Sequence, residues 1–445
     1  MVRDGFLPRV SPHRLGPLRR SPSPLGLRLS SLRQTQRRLS PIEGEGYWRQ
    51  RELLRRSHDM SDSPATVSPR VASLTRQVKG LSKAAGFHLV GVTSAEDFPE
   101  TEEVIAERVR AGLLDGLPWY NEARARRGCR PKELLPGARS IISLGLSYAV
   151  APPGHPADGL LRGRIARYAW GRDYHKVIER RVKAFTKQLA ELGAMESRFY
   201  VDYGPMPDRA VAQRAGLGWF GKNTNLLTSG LGSWVFLAEV ITDLPLTPDR
   251  PLKKNCGKCI ACIPACPTNA IIAPYVVDNR RCISYHTIEN RGVIPRGMRP
   301  LMGDWVFGCD ICQDVCPVNS RSRGEGDSEF APKDADSAWP DLIEMLSLTE
   351  ADFERRFRGS AVRRAKLSGL QRNVCIALGN LRDARAVPAL VQALSHREAL
   401  VRGHAAWALG RIGGRESRRA LKEAAAREGE AWVREEIALA MGTSA

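Results

Sequence analysis

Eight of this chain's ten cysteines lie between Cys256 and Cys316, at short spacings that suit metal ligation rather than disulfides. The run Cys256-x2-Cys259-x2-Cys262-x3-Cys266-Pro267 is answered, after Cys282, by Cys309-x2-Cys312-x3-Cys316-Pro317. This is the pattern of a two-cluster bacterial ferredoxin. A CxxCxxC loop wraps three corners of a cubane, and the cysteine before the proline crosses to the other cubane. The spacing therefore predicts one [4Fe–4S] cluster on Cys256, Cys259, Cys262 and Cys316. The second takes Cys266, Cys309, Cys312 and Cys282, the last in place of the usual nearby third ligand. A pair of zinc sites is the alternative, but zinc sites rarely use CxxCxxCxxxCP. Such ligation belongs in a reducing compartment, so the cysteine usage points to the cytoplasm.

Two neighbouring clusters relay single electrons, yet far more protein surrounds these than a carrier needs, so another group must receive the electrons. No GxGxxG follows a strand, which leaves a Rossmann-bound nicotinamide or flavin without support. The stretch Gly216-Leu217-Gly218-Trp219-Phe220-Gly221-Lys222-Asn223 imitates a phosphate loop, but Asn223 stands where a magnesium-binding Ser or Thr is needed. ATP binding is rejected.

The elements that position these groups fall into three parts, expected at 66–245, 246–325 and 326–445, after a basic leader at 1–65. The leader holds thirteen Arg against five acidic residues up to position 59 and shows no sustained periodicity, so disorder is expected there. A start at Met60 explains it better than a transit peptide does. From Leu74, Val78, Leu81 and Ala85 a helix is expected, then a strand at Phe87 to Val92. Further strands are expected at Ser140 to Leu146, Phe199 to Val201 and Trp234 to Thr242. Helices at Tyr174 to Leu192 and Asp208 to Ala215 separate them, which gives an α/β layer. Ser320 to Ser337 reads as a loop or linker. Beyond it Ala377-Leu378-Gly379 returns as Ala408-Leu409-Gly410 and Ala438-Leu439-Ala440, at intervals of 31 and 30 residues, as stacked HEAT-like helix pairs do. Cys375 falls on a core face of that tail. No apolar stretch approaches the roughly 20 residues that span a bilayer, so no membrane association is expected. The formal charge of +20, carried more by Arg than by Lys, points to a polyanionic partner.

Several stretches together resemble the epoxyqueuosine reductase family. They are Leu135-Pro136-Gly137-Ala138-Arg139-Ser140, the run from Arg167-Tyr168-Ala169-Trp170 to Asp173-Tyr174-His175-Lys176, Val201-Asp202-Tyr203-Gly204-Pro205, and Arg214-Ala215-Gly216 through Asn223-Thr224. The cysteines and a tail opening on Gln371-Arg372-Asn373 complete the likeness, which covers roughly residues 71 to 440. The resemblance implies a nitroreductase-like α/β domain holding base-off cobalamin beside the clusters. It implies reduction of epoxyqueuosine to queuosine at the tRNA wobble position, reduced cobalamin attacking the epoxide. It makes Asp202 the proton donor, lines the corrin with Asn223, Thr224, Asn225 and Leu226, and adds Arg130 and Asp173 as further cofactor contacts. Asp173-x-His175-x-x-Ile178 lacks the glycine of a cobalamin signature, so His175 is a poor cobalt ligand. Tyr203 stands where family members carry a small hydroxyl residue.

A proton donor must hold its proton near neutral pH, so a buried, apolar setting that raises the pKa of Asp202 is expected. The partners expected are tRNA carrying epoxyqueuosine and a low-potential donor of the flavodoxin or ferredoxin type, with the enzyme a monomer. Residues 360–445 carry fifteen Lys or Arg against eight acidic residues, and Arg363, Arg364, Lys366, Arg372, Arg402 and Arg411 are expected to grip tRNA phosphates. The alternatives are a cobalamin-dependent reductive dehalogenase and an iron–sulfur electron-transfer or binding subunit.

Overall fold

The computed structural model describes residues 68–322 and 326–442. The leader and Met60 lie outside the described residues. Pro69 opens the first helix among the described residues, α1 (Pro69–Ala84), at a position where the missing N–H costs nothing. Four strands follow in one sheet: β1 (Leu89–Ser94), β2 (Ser140–Ser147), β4 (Ser197–Tyr200) and β7 (Val235–Thr242), in the spatial order β1-β2-β7-β4. Although helices intervene in sequence, every pairing is antiparallel, with Val92 opposite Ile142 and Ile142 opposite Val240.

Both faces of this sheet are covered, which is why β2 is buried along its whole length. On one face Val92, Ile142, Leu144, Phe236 and Val240 meet α1 and α2 (Tyr174–Glu191). Helix α2 buries Tyr174, Val177, Ile178, Val182, Phe185 and Leu189, the stripe expected of an amphipathic helix. On the other face Ile141 and Ile241 pack with Ala210 and Val211 of α3 (Asp208–Arg214).

Between these elements, β3 (Arg164–Ile165) leaves the sheet and pairs in parallel with β8 (Trp305–Phe307), beyond the cysteine segment. One hydrophobic core consequently runs from Leu161, Ile165 and Trp170 through Trp305 and Phe307 into Leu370, Val374 and Trp407. In the stretch from Ser320 to Ser337, read as a loop or linker, the described residues 326–337 form an anchored strap. Phe330 is fully buried with its ring 4.9 Å from that of Phe236, and Glu329 pairs with Arg172, Arg180 and Arg181.

The triplets of the tail fall on successive helices: α4 (Lys366–Leu381), α6 (Ala399–Ile412) and α8 (Ala431–Gly442), with α5 (Val387–Ala393) and α7 (Gly414–Ala425) between them. Their small residues set the helix spacing. A Cβ on Gly379 would stand 2.9 Å from Ala408 Cα, and one on Gly410 would stand 2.7 Å from Ala440 Cβ, so the repeat is a packing signature.

The tail is clamped to the cysteine segment by buried polar groups. Arg372 is 1% exposed and donates to the carbonyls of His286, Asn290 and Gly292, at 2.6 to 2.8 Å. Asn373 donates to the carbonyls of Thr287 and Val306, at 2.9 Å each. Near the other end of the tail, Arg299 holds Glu436 through two bonds of 2.7 and 2.9 Å.

Candidate active site

The eight cysteines form the two expected groups, coupled by the charge their thiolates would carry. Cys259 and Cys316 act on Cys256 and Cys262, Cys266 acts on Cys282, and Cys282 and Cys312 act on Cys309, while Cys262 also acts on Cys312 across the two groups. The short helices Cys262–Ala265 and Ile311–Asp314 pack together and bring the two groups side by side. An amide donor of the kind that tunes such clusters is present, since Ala270 N lies 3.3 Å from Cys266 Sγ. Cys129 and Cys375 sit fully buried in apolar cores, and burial pushes the Cys129 thiol up to about 12.

The Asn223 segment closes the hairpin of β5 (Gly218–Phe220) and β6 (Leu226–Thr228). The tight turn holds Thr224 at a φ of 66°, and Arg209 Nη1 donates to the Thr224 carbonyl at 3.1 Å. The turn is tied to both halves of the cysteine segment. Lys222 Nζ donates to the Gly257 carbonyl at 2.9 Å, and Asn223 Nδ2 donates to the Cys312 carbonyl at 3.2 Å. Asn225 N is 3.3 Å from Asn223 Oδ1, and Leu226 is buried.

Asp202 lies on the loop between β4 and α3 at a φ of 57°, a left-handed conformation that aspartate tolerates better than most residues. Arg124 donates to the Tyr203 carbonyl at 3.1 Å and also to that of Gly204, which steadies the loop. Tyr203 turns its hydroxyl to Glu179 Oε1 at 2.9 Å. The Asp202 carboxylate accepts from Tyr174 Oη, and His175 Nε2 stands 3.7 Å away. The His175 ring stacks on Tyr174 at 4.0 Å, and its Nδ1 is 2.9 Å from Asp173 Oδ1.

The expected setting of Asp202 is corrected by this arrangement. Its side chain is 51% exposed. Such burial as it has favours the neutral acid, but the hydrogen bond from Tyr174, with the nearby His175 and Arg364 cations, holds its pKa at about 2. Burial disfavours charge on His175 as well, but Asp173 and Asp202 outweigh it and raise its pKa to about 9. At neutral pH the exchangeable proton therefore resides on His175, beside an ionised Asp202.

Arg364 joins the site from the start of the tail. Its Nε is 2.6 Å from Glu289 Oε1, and Nη1 is 3.9 Å from Asp202 Oδ2. With Arg363, Tyr168, Asp173, Tyr174 and His175 it lines a cleft open to solvent. Sequence reasoning misses Tyr174 and His175 as partners of Asp202 and places Arg364 only on the tail. The signal is present in the Asp173-Tyr174-His175 run, which in sequence is weighed for cobalt ligation alone.

Four of the residues expected at the cofactor or the tRNA are engaged within the protein. Arg130 spends its guanidinium on Glu102, at 3.2 Å through both Nε and Nη2. Asp173 caps α2 and orients His175. Arg372 is the buried clamp described above, with no face left for a phosphate. Arg402 grips Glu428 through two bonds of 2.7 and 2.8 Å and is 17% exposed, so its charge is already neutralised. Arg411 is half-buried over Trp407, 5.7 Å from the ring centroid. Arg363 and Lys366 remain exposed, Arg363 in an ion pair with Glu354.

Three families of known sequences match this chain. The 4Fe-4S double cluster binding domain covers residues 255–319, and HEAT repeats cover residues 360–442. The model for epoxyqueuosine reductase QueG covers residues 128–203, which include Asp202. An epoxyqueuosine reductase of Xanthomonas campestris pv. campestris is 39% identical over 79% of this chain and 99% of its own length. This chain belongs to the epoxyqueuosine reductase family. A Synechocystis member is 46% identical over 62% of this chain and 96% of its own length. A solved epoxyqueuosine reductase in complex with an epoxyqueuosine-modified tRNA-Tyr stem loop superposes with a TM-score of 0.79. That likeness is at 32% identity and covers 83% of this chain and 98% of the other. Another, from Bacillus subtilis, was solved with its catalytic aspartate loop swung out of the active site. It superposes with a TM-score of 0.77 at 31% identity, covering 84% of this chain and 99% of the other. The chain is an iron–sulfur oxidoreductase. Among the described residues, no helix is long and apolar enough to cross a membrane.

Proposed function

We propose that this chain reduces epoxyqueuosine to queuosine at the tRNA wobble position, using two [4Fe–4S] clusters and a base-off cobalamin. The observation that carries the reading is the placement of Asp202. It stands ionised between Tyr174, His175 and Arg364, while the Asn223 hairpin on the same α/β unit bonds to the backbone of Cys312. Converting an epoxide to an alkene and water consumes two electrons and two protons. The clusters relay the electrons from a low-potential donor of the flavodoxin or ferredoxin type. Cobalamin, when bound in the nitroreductase-like α/β layer, supplies the reducing centre.

The residues present fit such a cofactor. Asn223, Thr224, Asn225 and Leu226 would hold it, and two unspent donors favour a ligand rich in amide carbonyls. These are Trp219 Nε1 on the same hairpin and Arg167 Nε, both buried without a hydrogen-bond partner. The chain's own residues handle the protons. His175 holds one, Tyr174 and Arg364 fix the Asp202 carboxylate, and a docked nucleoside excludes water from the cleft. The proton then passes through Asp202 to the epoxide oxygen. The Bacillus subtilis relative, too, carries its catalytic aspartate on a loop. Anaerobic incubation of the monomeric holoenzyme with a low-potential reductant and epoxyqueuosine-containing tRNA should yield queuosine on nucleoside mass analysis. Epoxyqueuosine surviving with both clusters reduced would overturn the reading.

For tRNA, Arg363 and Lys176 line the cleft, exposed Lys366 follows at the start of the tail, and Arg411 lies farther along it. Arg363→Ala with Lys366→Ala should weaken binding of every cognate tRNA alike. The slope of log K against log salt should fall by about 1 for each phosphate that is no longer neutralised. Arg402→Gln should leave that slope unchanged, because Glu428 already neutralises it. Filter binding across a salt series checks both.

A further inference from the structure

Near the loop that carries Asp202, the sheet holds a group of polar atoms that the roles above leave unused. Glu239, on β7, is fully buried, and neither carboxyl oxygen has a hydrogen-bond partner. It stands opposite Ser143 on β2 and Tyr200 on β4, and residues opposed in an antiparallel pair point to the same face. Ser143 is also fully buried, and its hydroxyl is likewise unpartnered. From α3, packed against this face, Asp208 contributes a buried Oδ1 in the same state. The two carboxyls are close enough for each to act on the other's proton, yet these three oxygens make no well-formed hydrogen bond.

Such a cluster is costly unless it is neutral or hydrated, since an unpaired buried carboxylate is strongly disfavoured. Burial, then the Asp208 and Asp202 carboxylates, pushes Glu239 well above the usual range. Burial also lifts Asp208 to about 7, helped by the charge on Asp202 and opposed by the adjoining Glu239 carboxyl and by Arg209 and Arg124. Tyr120 faces Asp208 as a further titratable neighbour. The chain runs from Tyr200, the cross-strand neighbour of Glu239, through Asp202 to Asp208, so the acidic pair brackets the catalytic loop.

We infer that Ser143, Asp208 and Glu239 hold a bridging water and form a buried proton store that resupplies the Asp202–His175 site during turnover. The inference rests on the reaction proposed above. Each epoxide reduced to an alkene and water takes two electrons from the clusters and two protons. His175 carries one of these, and the docked tRNA covers the mouth of the cleft. The pair delivers the second by way of Asp202 and is reprotonated from solvent after product leaves. The coupling runs in the required direction. An ionised store raises the proton affinity of Asp202, by the same reciprocity through which Asp202 raises theirs.

Infrared difference spectroscopy on the anaerobic holoenzyme at neutral pH tests the first half. A protonated carboxylic C=O band is expected, absent in Glu239→Gln and shifted in Asp208→Asn. Single-turnover reaction of the pre-reduced enzyme tests the second half. Both variants should form product roughly 10- to 100-fold more slowly, within the range of proton-transfer catalysis. They should show a larger solvent deuterium isotope effect with unchanged iron content and tRNA affinity. A band unaffected by both substitutions, or wild-type turnover in both, would overturn the store. So would loss of cobalamin binding with a normal isotope effect, which would make the pair a cofactor clamp. If Glu239→Gln fails to fold, Asp208→Asn carries the same readouts. A wild-type enzyme that shows the band but makes no queuosine would defeat the proposed reaction and leave the protonated pair standing.

Discussion

Cys282→Ser should lower the iron content from about eight to about four per chain and bring turnover to background. The expectation follows from the crossed ligand pattern. Cys282 has no partner in a CxxC step, yet the sequence pattern already makes it the fourth ligand of the second cluster. In the fold it begins the helix Ile283–Ile288 as its cap residue and shares the electrostatic environment of Cys266 and Cys309. Removing it takes one corner from the second cubane, which is adjacent to the Asn223 hairpin through Cys312. The first cluster would survive, but the relay to the cleft would be cut. Cys129→Ser and Cys375→Ser should each retain about eight iron, although a hydroxyl placed in those apolar cores costs about 1–3 kcal/mol of stability. Iron and sulfide assays with denaturation curves separate the two effects. A full complement of iron in Cys282→Ser, or loss of a cluster in Cys375→Ser, would require a different ligand set.

What is legible in sequence is what short-range spacing encodes. The cysteine runs, the alternation of strand and helix from Val71 onward, and the returning Ala-Leu-Gly triplet each depend on neighbours within a loop or one repeat. The structure adds contacts between distant segments. Arg372 and Arg402 read as phosphate-binding arginines because charge patterning cannot show that one caps carbonyls from the His286 to Gly292 loop and the other meets Glu428. Glu239 is hidden in the apolar run of β7, and its meaning depends on Asp208, which only the packing of α3 on the sheet brings near. The expected protonation of Asp202 fails for the same reason. A carboxylate alone in an apolar setting would have a raised pKa, but His175, Tyr174 and Arg364 converge on it from two other segments.

Asp202→Asn and His175→Gln should each reduce single-turnover formation of queuosine by about 10²- to 10⁴-fold while leaving tRNA affinity nearly unchanged. The pH dependence distinguishes their roles. Held at about 2, Asp202 itself contributes no titration to the wild-type chemical step near neutrality. Raised to about 9, His175 keeps its proton through neutrality and loses it in the alkaline range, so the rate should fall as pH rises through about 9. That alkaline limb should vanish in His175→Gln. In Asp202→Asn one of the two carboxylates that raise the His175 pKa is gone, so its titration should move down toward the ordinary 6.5. Stability follows the same sign. The His175 contribution is fully present below about 6.5 and is lost as pH rises through about 9, whereas that of Asp202 is present above about 3.8 and lost as pH falls through about 2. Histidine NMR titrations of the two proteins, read beside the pH–rate profiles, make the comparison direct. An alkaline limb unchanged in His175→Gln would remove His175 as the proton carrier and return that role to Asp202 alone.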